Sequence, residues 1–326
     1  MSVSCIACDS QDTVSIGPLP IYTTDNLGQP TNDRSDAGSL YRCLNCALRF
    51  RFPQPTDEQL LAYYSGLSET DWWQHGTSRE VWRHIRTELE DLPQKSVLDV
   101  GCFRGDLLTY LGDGFERFGV EPSPSAREEA RSRNITLLGE TIDSLRDEPR
   151  RFGAITMIDV IEHLPKPVDS LRLLSRLLLP GGKLIIFTGD TEALSWRIAN
   201  LHYWYSALPE HVAFFRLSWF RWVAQTLNCK VTSHKRLAYQ TASIKVRLDE
   251  SLKNLAFVTY HRLGTMPAAN NLLSRVPLLR RIGQWPSCWW TSARDHVLVT
   301  LTKENVEDSQ PVPSLGTSLQ IPGQQN

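Results

Sequence analysis

The sequence lacks several features that would assign a protein to a class at once. Its 35 Lys and Arg residues nearly balance its 36 Asp and Glu residues, for a formal net charge of −1. No overall field therefore directs the chain to nucleic acid or to a membrane surface. No run of 18 apolar residues is present, which argues against a transmembrane helix. The first residues, MSVSCIACDS, contain neither a basic nor an apolar segment, so we expect no signal peptide and a cytoplasmic location.

Cysteine is sparse and unevenly placed. Four of the seven cysteines form two C-x-x-C pairs, Cys5 with Cys8 and Cys43 with Cys46. In a reducing compartment, such pairs suggest a metal before a disulfide. We predict one zinc ion, Zn(2+), held by the four thiolates in a closed site, which would be structural and not catalytic. The alternative is four unligated thiols.

Residues 96–188 repeat a rhythm of strand, turn and helix. The expected strands are SVLDV, RFGVE, ITLL, AITMIDV and KLIIFT, and helices are expected at about 105–112, 124–133 and 168–179. Short, nearly continuous apolar strands are typical of a parallel sheet that is covered on both faces. We therefore predict an α/β fold with a doubly wound, Rossmann-like sheet.

The rest of the chain is predicted to be arranged around this sheet. We expect a zinc-ribbon-like unit at 1–55, a helical linker at 56–94 and the sheet domain at 95–303. A helical insertion or cap at 240–294 precedes the last strand of that domain. The tail, 304–326, is rich in Ser, Pro, Gly and Gln and is predicted to be disordered.

The stretch SVLDVGCFRGDLLTYL, residues 96–111, has the form of a ligand-binding turn. Asp99, Gly101 and Gly105 lie at the carboxyl end of the first strand, where open α/β sheets bind ligands. Gly101 permits a tight turn, and Gly105 lets the next helix begin close to a ligand. Glu121 ends the second strand and can accept hydrogen bonds from both hydroxyls of a ribose. The alternative is a tight turn without a ligand and a solvated charge at a strand end.

Four stretches, VLDVGCFRG, FGVEPS, ITMIDVIEHLPKP and LLLPGGKLIIFTGD, resemble in order and spacing the motifs of class I S-adenosylmethionine-dependent methyltransferases. The resemblance covers about 95–230 and, with the final strands, reaches about 303. It implies S-adenosylmethionine as cofactor. It places Asp99, Gly101, Cys102 and Gly105 at the methionine end, Glu121 at the ribose, Glu140 and Thr141 at the adenine, and Asp159 beside cofactor and substrate cleft. One departure is Phe103, where the family has glycine. Its side chain either crowds the methionine moiety or, if the local φ is negative, points away.

Two further stretches carry groups that could act on a methyl acceptor. Asp159, Glu162 and His163 resemble the E-x-x-E-H stretch of the ubiquinone-pathway O-methyltransferases, whose positions bind a divalent cation. The alternative is a turn in which these residues pack or cap. His211, in LPEHVAFF, could act as a general base on a hydroxyl, because free histidine has a pKa near neutrality. Its alternative role is to orient substrate or to support the structure.

The two flanking regions suggest partners. YRCLNCALRFRFPQPTDEQLLAYY resembles the zinc-ribbon segment that precedes many bacterial methyltransferases of sugar and natural-product pathways. The insertion has no acidic residue between Glu250 and Asp295. Its basic residues are Lys253, Arg262, Arg275, Arg280, Arg281 and Arg294. Peripheral contact of 253–294 with an anionic carrier or a membrane is one interpretation. A cap over the active site with solvated arginines is the other.

These features together predict an enzyme. It would transfer a methyl group from S-adenosylmethionine to an oxygen or carbon of a small biosynthetic substrate: a sugar, a quinone or a natural-product intermediate. Because that methyl group is already activated, the protein would mainly align it with the nucleophile and exclude water. The alternatives are an RNA or protein methyltransferase that uses the ribbon for recognition, and a non-catalytic binding scaffold. Neither the net charge nor the ribbon is basic enough to favour nucleic acid. The acceptor and the oligomeric state stay open.

Overall fold

The computed structural model of the chain describes residues 2–20, 38–56, 79–92, 94–264, 282 and 290–304. The first part of the predicted linker, most of the second half of the insertion and the predicted disordered tail lie outside these residues. Within them, the predicted α/β fold is confirmed as a seven-stranded sheet with a small antiparallel sheet beside it. None of the described helices is long and apolar enough to span a membrane.

The larger sheet has the strand order β10-β11-β8-β7-β4-β5-β6. Its strands are β4 (Ser96–Val100), β5 (Glu116–Val120), β6 (Thr136–Gly139), β7 (Phe152–Ile158), β8 (Leu178–Gly189), β10 (Cys229–Leu237) and β11 (His296–Lys303). Strands β4 to β8 pair in parallel, whereas β11 runs antiparallel to β8 and β10. The first residues of β11 therefore lie at the edge where the parallel strands end, with His296 opposite Gly189.

Helices cover both faces of this sheet. They are α1 (Arg79–Glu88), α2 (Asp106–Leu111), α3 (Pro124–Ser132), α4 (Pro167–Arg176), α5 (Leu194–Ala199), α6 (Trp204–Ala207), α7 (Leu217–Thr226) and α8 (Ile244–Gly264). Every residue of β4 is buried, including the polar Ser96 and Asp99, as expected of a strand that is covered on both faces. In α1 and just after it, Val81, Ile85 and Leu89 recur every four residues, and all three are fully buried against the sheet.

The small sheet has the order β1-β2-β3-β9. Its strands are β1 (Thr13–Pro18), β2 (Ser39–Cys43), β3 (Arg49–Phe52) and β9 (Ala213–Phe214). The first three come from the predicted zinc-ribbon-like unit. The fourth comes from the segment after α6, which the sequence did not suggest. The two sheets also share one core, in which Leu48 and Phe50 pack with residues of the large sheet.

Two element boundaries differ from the expected ones. The strand expected through AITMIDV ends at Ile158, because Asp159 takes a φ of +52°, outside the range of an extended chain. The helix expected at 168–179 ends at Arg176, and β8 begins at Leu178. Within the predicted insertion, the structure describes the helix α8 and a few residues on either side of it. On it, Lys253 forms an exposed ion pair with Asp249 over 2.7 Å.

Candidate functional site

The turn after β4 brings the chain sharply back towards β5. Gly101 has a φ of +74°, and its N–H donates to the carbonyl of Val120 over 2.8 Å. A Cβ atom at this position would lie only 2.6 Å from Cγ2 of Val160, so a side chain does not fit. Cys102 donates its N–H to the same carbonyl over 3.1 Å, and its buried sulfur packs on the bare backbone of Gly119. Cys102 therefore presents backbone, and not its thiol, to this edge of the sheet.

Phe103 and Gly105 complete the turn. Gly105 has a φ of +78°, and a Cβ atom there would lie 1.9 Å from Cδ1 of Ile135, so close packing by itself requires glycine. Phe103 has a φ of +48°, so the condition under which its ring would point away, a negative φ, is not met. It takes a left-handed conformation that glycine adopts at little cost. The Arg104 guanidinium lies over its ring, 5.0 Å from the centroid.

Two carboxylates are buried beside this turn. Glu121 is 6% exposed, and its oxygens accept N–H bonds from Phe103 and Ser123, each over 2.8 Å. Burial raises the pKa of Glu121, and these two bonds oppose the rise. Asp99 is 4% exposed and accepts a bond from the Thr156 hydroxyl over 2.6 Å. Burial raises the pKa of Asp99 to about 7, with Thr156 lowering it and the charge of Glu121 raising it further. The turn therefore lies beside two carboxyl groups whose negative charge is poorly solvated.

Glu140 and Thr141 follow β6 at the same edge. The N–H of Glu121 donates to the carbonyl of Gly139 over 3.3 Å, which keeps the ends of β5 and β6 together. Glu140 is exposed and pairs with Arg127 over 2.7 Å. Thr141 begins a short 3-10 turn, Ile142–Leu145, in a capping box with Ser144. The two residues thus lie one strand beyond Glu121, and the family resemblance predicts that they flank the adenine.

A fully buried glutamate lies at the end of β7. Glu162 stands in the 3-10 turn Ile161–His163 and accepts hydrogen bonds on both carboxylate oxygens. The Tyr205 hydroxyl donates to one oxygen over 2.5 Å, and the Thr188 hydroxyl donates to the other over 3.0 Å. Burial raises the pKa of Tyr205, and the charges of Glu162 and Asp159 raise it further. The Tyr205 phenol therefore stays protonated and donates to the carboxylate.

His211 and His163 lie side by side, although 48 residues separate them in the sequence. Their ring centroids are 4.8 Å apart at an interplanar angle of 74°. Nδ1 of His211 donates to the carbonyl of Tyr205 over 2.9 Å, and Nδ1 of His163 donates to that of Glu210 over 3.2 Å. In each neutral ring the lone pair is then on Nε2. Burial lowers the pKa of His211 well below its ordinary value, and the charge of His163 lowers it further. His211 is therefore neutral at physiological pH.

Glu162, His163 and His211 form one group, which we call the carboxylate–histidine cluster. Their ligand atoms lie within 4.8 Å of one another. Asp159 does not belong to this group, although the sequence places it in the same set as Glu162 and His163. The N–H of Asp159 instead donates to the carbonyl of Phe187 over 3.0 Å, beside β8.

Asp295 and His296 form a buried pair that the sequence reasoning missed. Both are fully buried, and Nδ1 of His296 donates to the Asp295 carboxylate over 2.8 Å. Burial by itself lowers the pKa of His296, but the Asp295 carboxylate raises it above its ordinary value, helped by Asp159 and Glu162. In the described part of the chain no group bonds to its Nε2. The sequence does contain a signal for this pair. Asp295 and His296 open the last predicted strand, and the start of an antiparallel strand lies at the edge where the parallel strands end.

The four paired cysteines meet in the N-terminal unit. The Sγ atoms of Cys5 and Cys46 are 3.6 Å apart, as are those of Cys8 and Cys43. A tetrahedral site with zinc–sulfur bonds of about 2.3 Å requires sulfur atoms roughly 3.8 Å apart, whereas a disulfide requires about 2.0 Å. The residues after the two pairs, Asp9 and Ala47, have φ values of +57° and +64°. Each donates its N–H to the carbonyl of the first cysteine of its pair, over 3.0 and 3.1 Å. Two equivalent turns with four converging sulfurs fit a zinc ion.

Comparison with known proteins gives consistent matches. A family model described as a methyltransferase domain matches residues 73–234. Ubiquinone biosynthesis O-methyltransferase from Coxiella burnetii is 30% identical over 174 residues, which cover 48% of this chain and 74% of that protein. The protein of the same name from Yersinia pestis is 27% identical over 158 residues, 44% of this chain and 65% of the other. Among solved structures, the Bacillus subtilis YcgJ protein is 16% identical, with a TM-score of 0.46 over 70% of this chain and 100% of the other.

Proposed function

This chain belongs to the class I S-adenosylmethionine-dependent methyltransferases, and from that premise we propose that it methylates a hydroxyl oxygen of a small biosynthetic molecule, such as a sugar, a quinone or a natural-product intermediate. The observation that carries the proposal is the carboxylate–histidine cluster at the carboxyl edge of the sheet. Two similar proteins are named as O-methyltransferases, and this supports oxygen over carbon as the acceptor.

The buried carboxylates fit the cofactor. S-adenosylmethionine supplies a methyl group on a positively charged sulfur, and it also carries a ribose with two hydroxyls. Burial disfavours the charged forms of Asp99 and Glu121 and so raises the pKa of both carboxyl groups. A positively charged ligand beside them would stabilise those charged forms. We infer that Glu121 accepts the ribose hydroxyls with the lone pairs that its two backbone bonds leave over. The methionine end would be lined by Asp99, Gly101, Cys102 and Gly105, the adenine by Glu140 and Thr141, and the cleft by Asp159.

The cluster supplies a base for the acceptor. His211 is neutral at physiological pH, and its Nε2 carries the lone pair, because Nδ1 donates to the Tyr205 carbonyl. It can therefore take the proton of an acceptor hydroxyl as the methyl group is transferred. The carbonyl of Tyr205 keeps the ring in this tautomer, as the orienting partner of a catalytic histidine does.

The same cluster also fits a divalent cation. It offers one carboxylate and two imidazoles with converging ligand atoms, a donor set suited to such ions. A bound cation would lower the pKa of an acceptor hydroxyl. In this set His211 stands where the sequence suggested Asp159, so the two alternatives left open by the sequence share one cluster.

Turnover with hydroxyl acceptors, measured with and without a mild chelator, separates the two roles. If His211 is the base, chelation has no effect and His211→Ala lowers kcat by about 10²- to 10⁴-fold. If a cation is required, chelation stops turnover and added cation restores it. His234→Ala is the matched control, because His234 is an exposed histidine on β10 and should be dispensable. Zinc content is assayed in parallel, since a chelator can also strip the cysteine cluster.

One result would overturn the proposal. If His211→Ala keeps near-full turnover and chelation has no effect, the cluster does not act on the acceptor. A carbon nucleophile, or an acceptor already ionised in solution, would then describe the reaction better.

A further inference from the structure

Arg51 is a buried cation that connects the N-terminal unit to the segment carrying His211. It lies on β3, is 4% exposed and bonds to three backbone carbonyls. Its Nη2 donates to the carbonyls of Ser206 and Leu208 over 2.8 and 2.9 Å, and its Nε donates to the carbonyl of His211 over 3.1 Å. One guanidinium therefore holds three points of the segment 206–211 from two separate nitrogens in a fixed plane, a geometry that a lysine, with all its donors on one nitrogen, does not reproduce.

The backbone of β3 holds the following residues in the same place. The N–H of Arg51 donates to the carbonyl of Val212 over 2.9 Å, and β3 then pairs with β9. The N–H of Val212 in turn donates to the carbonyl of Glu162 over 2.9 Å. The segment 206–214 thus joins the small sheet, to which it contributes β9, to the carboxylate–histidine cluster, to which it contributes His211.

The hairpin that carries Arg51 also carries half of the cysteine cluster. Cys43 ends β2 and Cys46 lies in the turn before β3, where the N–H of Cys43 donates to the carbonyl of Leu48 over 2.9 Å. Leu48 and Phe50 are fully buried, so the hairpin is packed along its length. The two cysteines and Arg51 therefore belong to one hairpin with a buried side.

We propose that Arg51 is a positioning residue through which the four-cysteine unit sets the place of His211, so that turnover depends on an intact cysteine cluster. The N-terminal unit is then a part of the active site, and not a separate recognition module. The proposal rests on the function proposed above for His211. Both the side chain and the backbone N–H of Arg51 bond directly to the segment 206–212. A small displacement of β3 would therefore shift the His211 imidazole relative to the methyl acceptor.

Arg51→Lys tests the first link. We expect kcat to fall about 10- to 100-fold, as misplacement of a catalytic group by about 1 Å does. The KM for the acceptor, the affinity for S-adenosylmethionine and the zinc content should stay within about twofold, since Arg51 is neither a cysteine ligand nor one of the residues proposed to bind the cofactor. Hydrogen–deuterium exchange should rise in 206–214 and stay unchanged in β4 and β5. Arg42→Lys, in the same hairpin on β2, is the control and should change neither exchange nor turnover.

Guanidinium rescue adds a readout that a general loss of stability would not give. In Arg51→Ala, millimolar guanidinium should restore exchange protection in 206–214 and part of the lost kcat, whereas ethylammonium should not. Cys43→Ser tests the second link. When this variant has lost its metal, hydrogen–deuterium exchange should rise in 206–214, although residue 43 lies outside that segment.

The outcomes are separable. Unchanged exchange in 206–214 for Arg51→Lys, or a rise spread evenly over the chain, would overturn the positioning role. Unchanged exchange there in metal-free Cys43→Ser would overturn the link to the cysteine cluster. Full turnover of His211→Ala would instead refute the function proposed for His211, and the exchange data on Arg51→Lys would still decide what Arg51 holds.

Discussion

The charge of Asp99 should lower the free energy of unfolding of the cofactor-free protein at neutral pH. Replacing Asp99 by asparagine should therefore stabilise that form of the protein. The Asp99 carboxyl group is buried, and burial raises its pKa to about 7 from an ordinary value of 3.8. Asp99→Asn has nearly the same shape, and its amide oxygen can still accept the bond from the Thr156 hydroxyl. The substitution therefore removes the charge and leaves the packing and the hydrogen bond in place.

The sign and size of the effect follow from the two pKa values. Because the pKa of this acid is higher in the folded than in the unfolded chain, the fold favours the protonated form. The cost of ionisation is absent below about pH 4, grows as the pH rises and is complete above about pH 7. At 1.36 kcal/mol per pH unit, Asp99→Asn should raise the free energy of unfolding by at most about 4 kcal/mol at pH 8. The gain at pH 5 should be less than half of that, about 1.6 kcal/mol.

Urea unfolding of the free protein at pH 5 and pH 8 measures the difference. Asp113→Asn is the control, since its side chain is 96% exposed and should matter little at either pH. Calorimetry should show that Asp99→Asn binds S-adenosylmethionine more weakly than the wild-type protein does. The substitution removes a negative charge that is proposed to lie beside the positive methionine end of the cofactor. An equal gain at both pH values, or a loss at pH 8, would refute the reasoning about Asp99.

Three further outcomes are expected. Glu121→Ala should weaken S-adenosylmethionine binding by about 1.5–3 kcal/mol, because a charged acceptor of the ribose hydroxyls is lost; an unchanged dissociation constant in calorimetry would contradict this role. Cys43→Ser should lose the zinc, expected at one ion per wild-type chain, and loosen the N-terminal unit, because metal binding and local folding are coupled; elemental analysis that finds the metal retained would reject the ligand set. Phe103→Gly should keep or raise the free energy of unfolding, whereas Phe103→Val should lower it by about 1 kcal/mol or more, since the φ of +48° strains a β-branched residue; urea unfolding of both variants compares them.

The sheet could be predicted because its signals are local. A strand buried on both faces is mostly apolar, and in SVLDV three of the five residues are apolar and every position of β4 is buried. The turn that follows is equally local, since the glycines at positions 101 and 105 have positive φ values that other residues rarely adopt. Asp159 shows the limit of this reasoning. Its apolar neighbours predict a continuing strand, but a left-handed residue ends the strand at Ile158.

The candidate site was predicted only in parts. Glu162 and His163 were predicted together because they are neighbours in the sequence, and His211 was predicted separately as a rival. The structure joins them, since the N–H of Val212 bonds to the carbonyl of Glu162 and brings the two rings within 4.8 Å. No local pattern records that contact.

The sequence by itself determined the α/β class, the methyltransferase motifs and the four cysteines, because periodicity, turn glycines and paired thiols act over a few neighbouring residues. Only the tertiary structure decided that Arg51 holds the carbonyls of 206–211 and that His296 meets the edge where the parallel strands end. Those contacts join residues more than 100 positions apart. They depend on how β3, β9 and β11 pair, and such pairing follows from the packing of the whole core and not from the residues on either side.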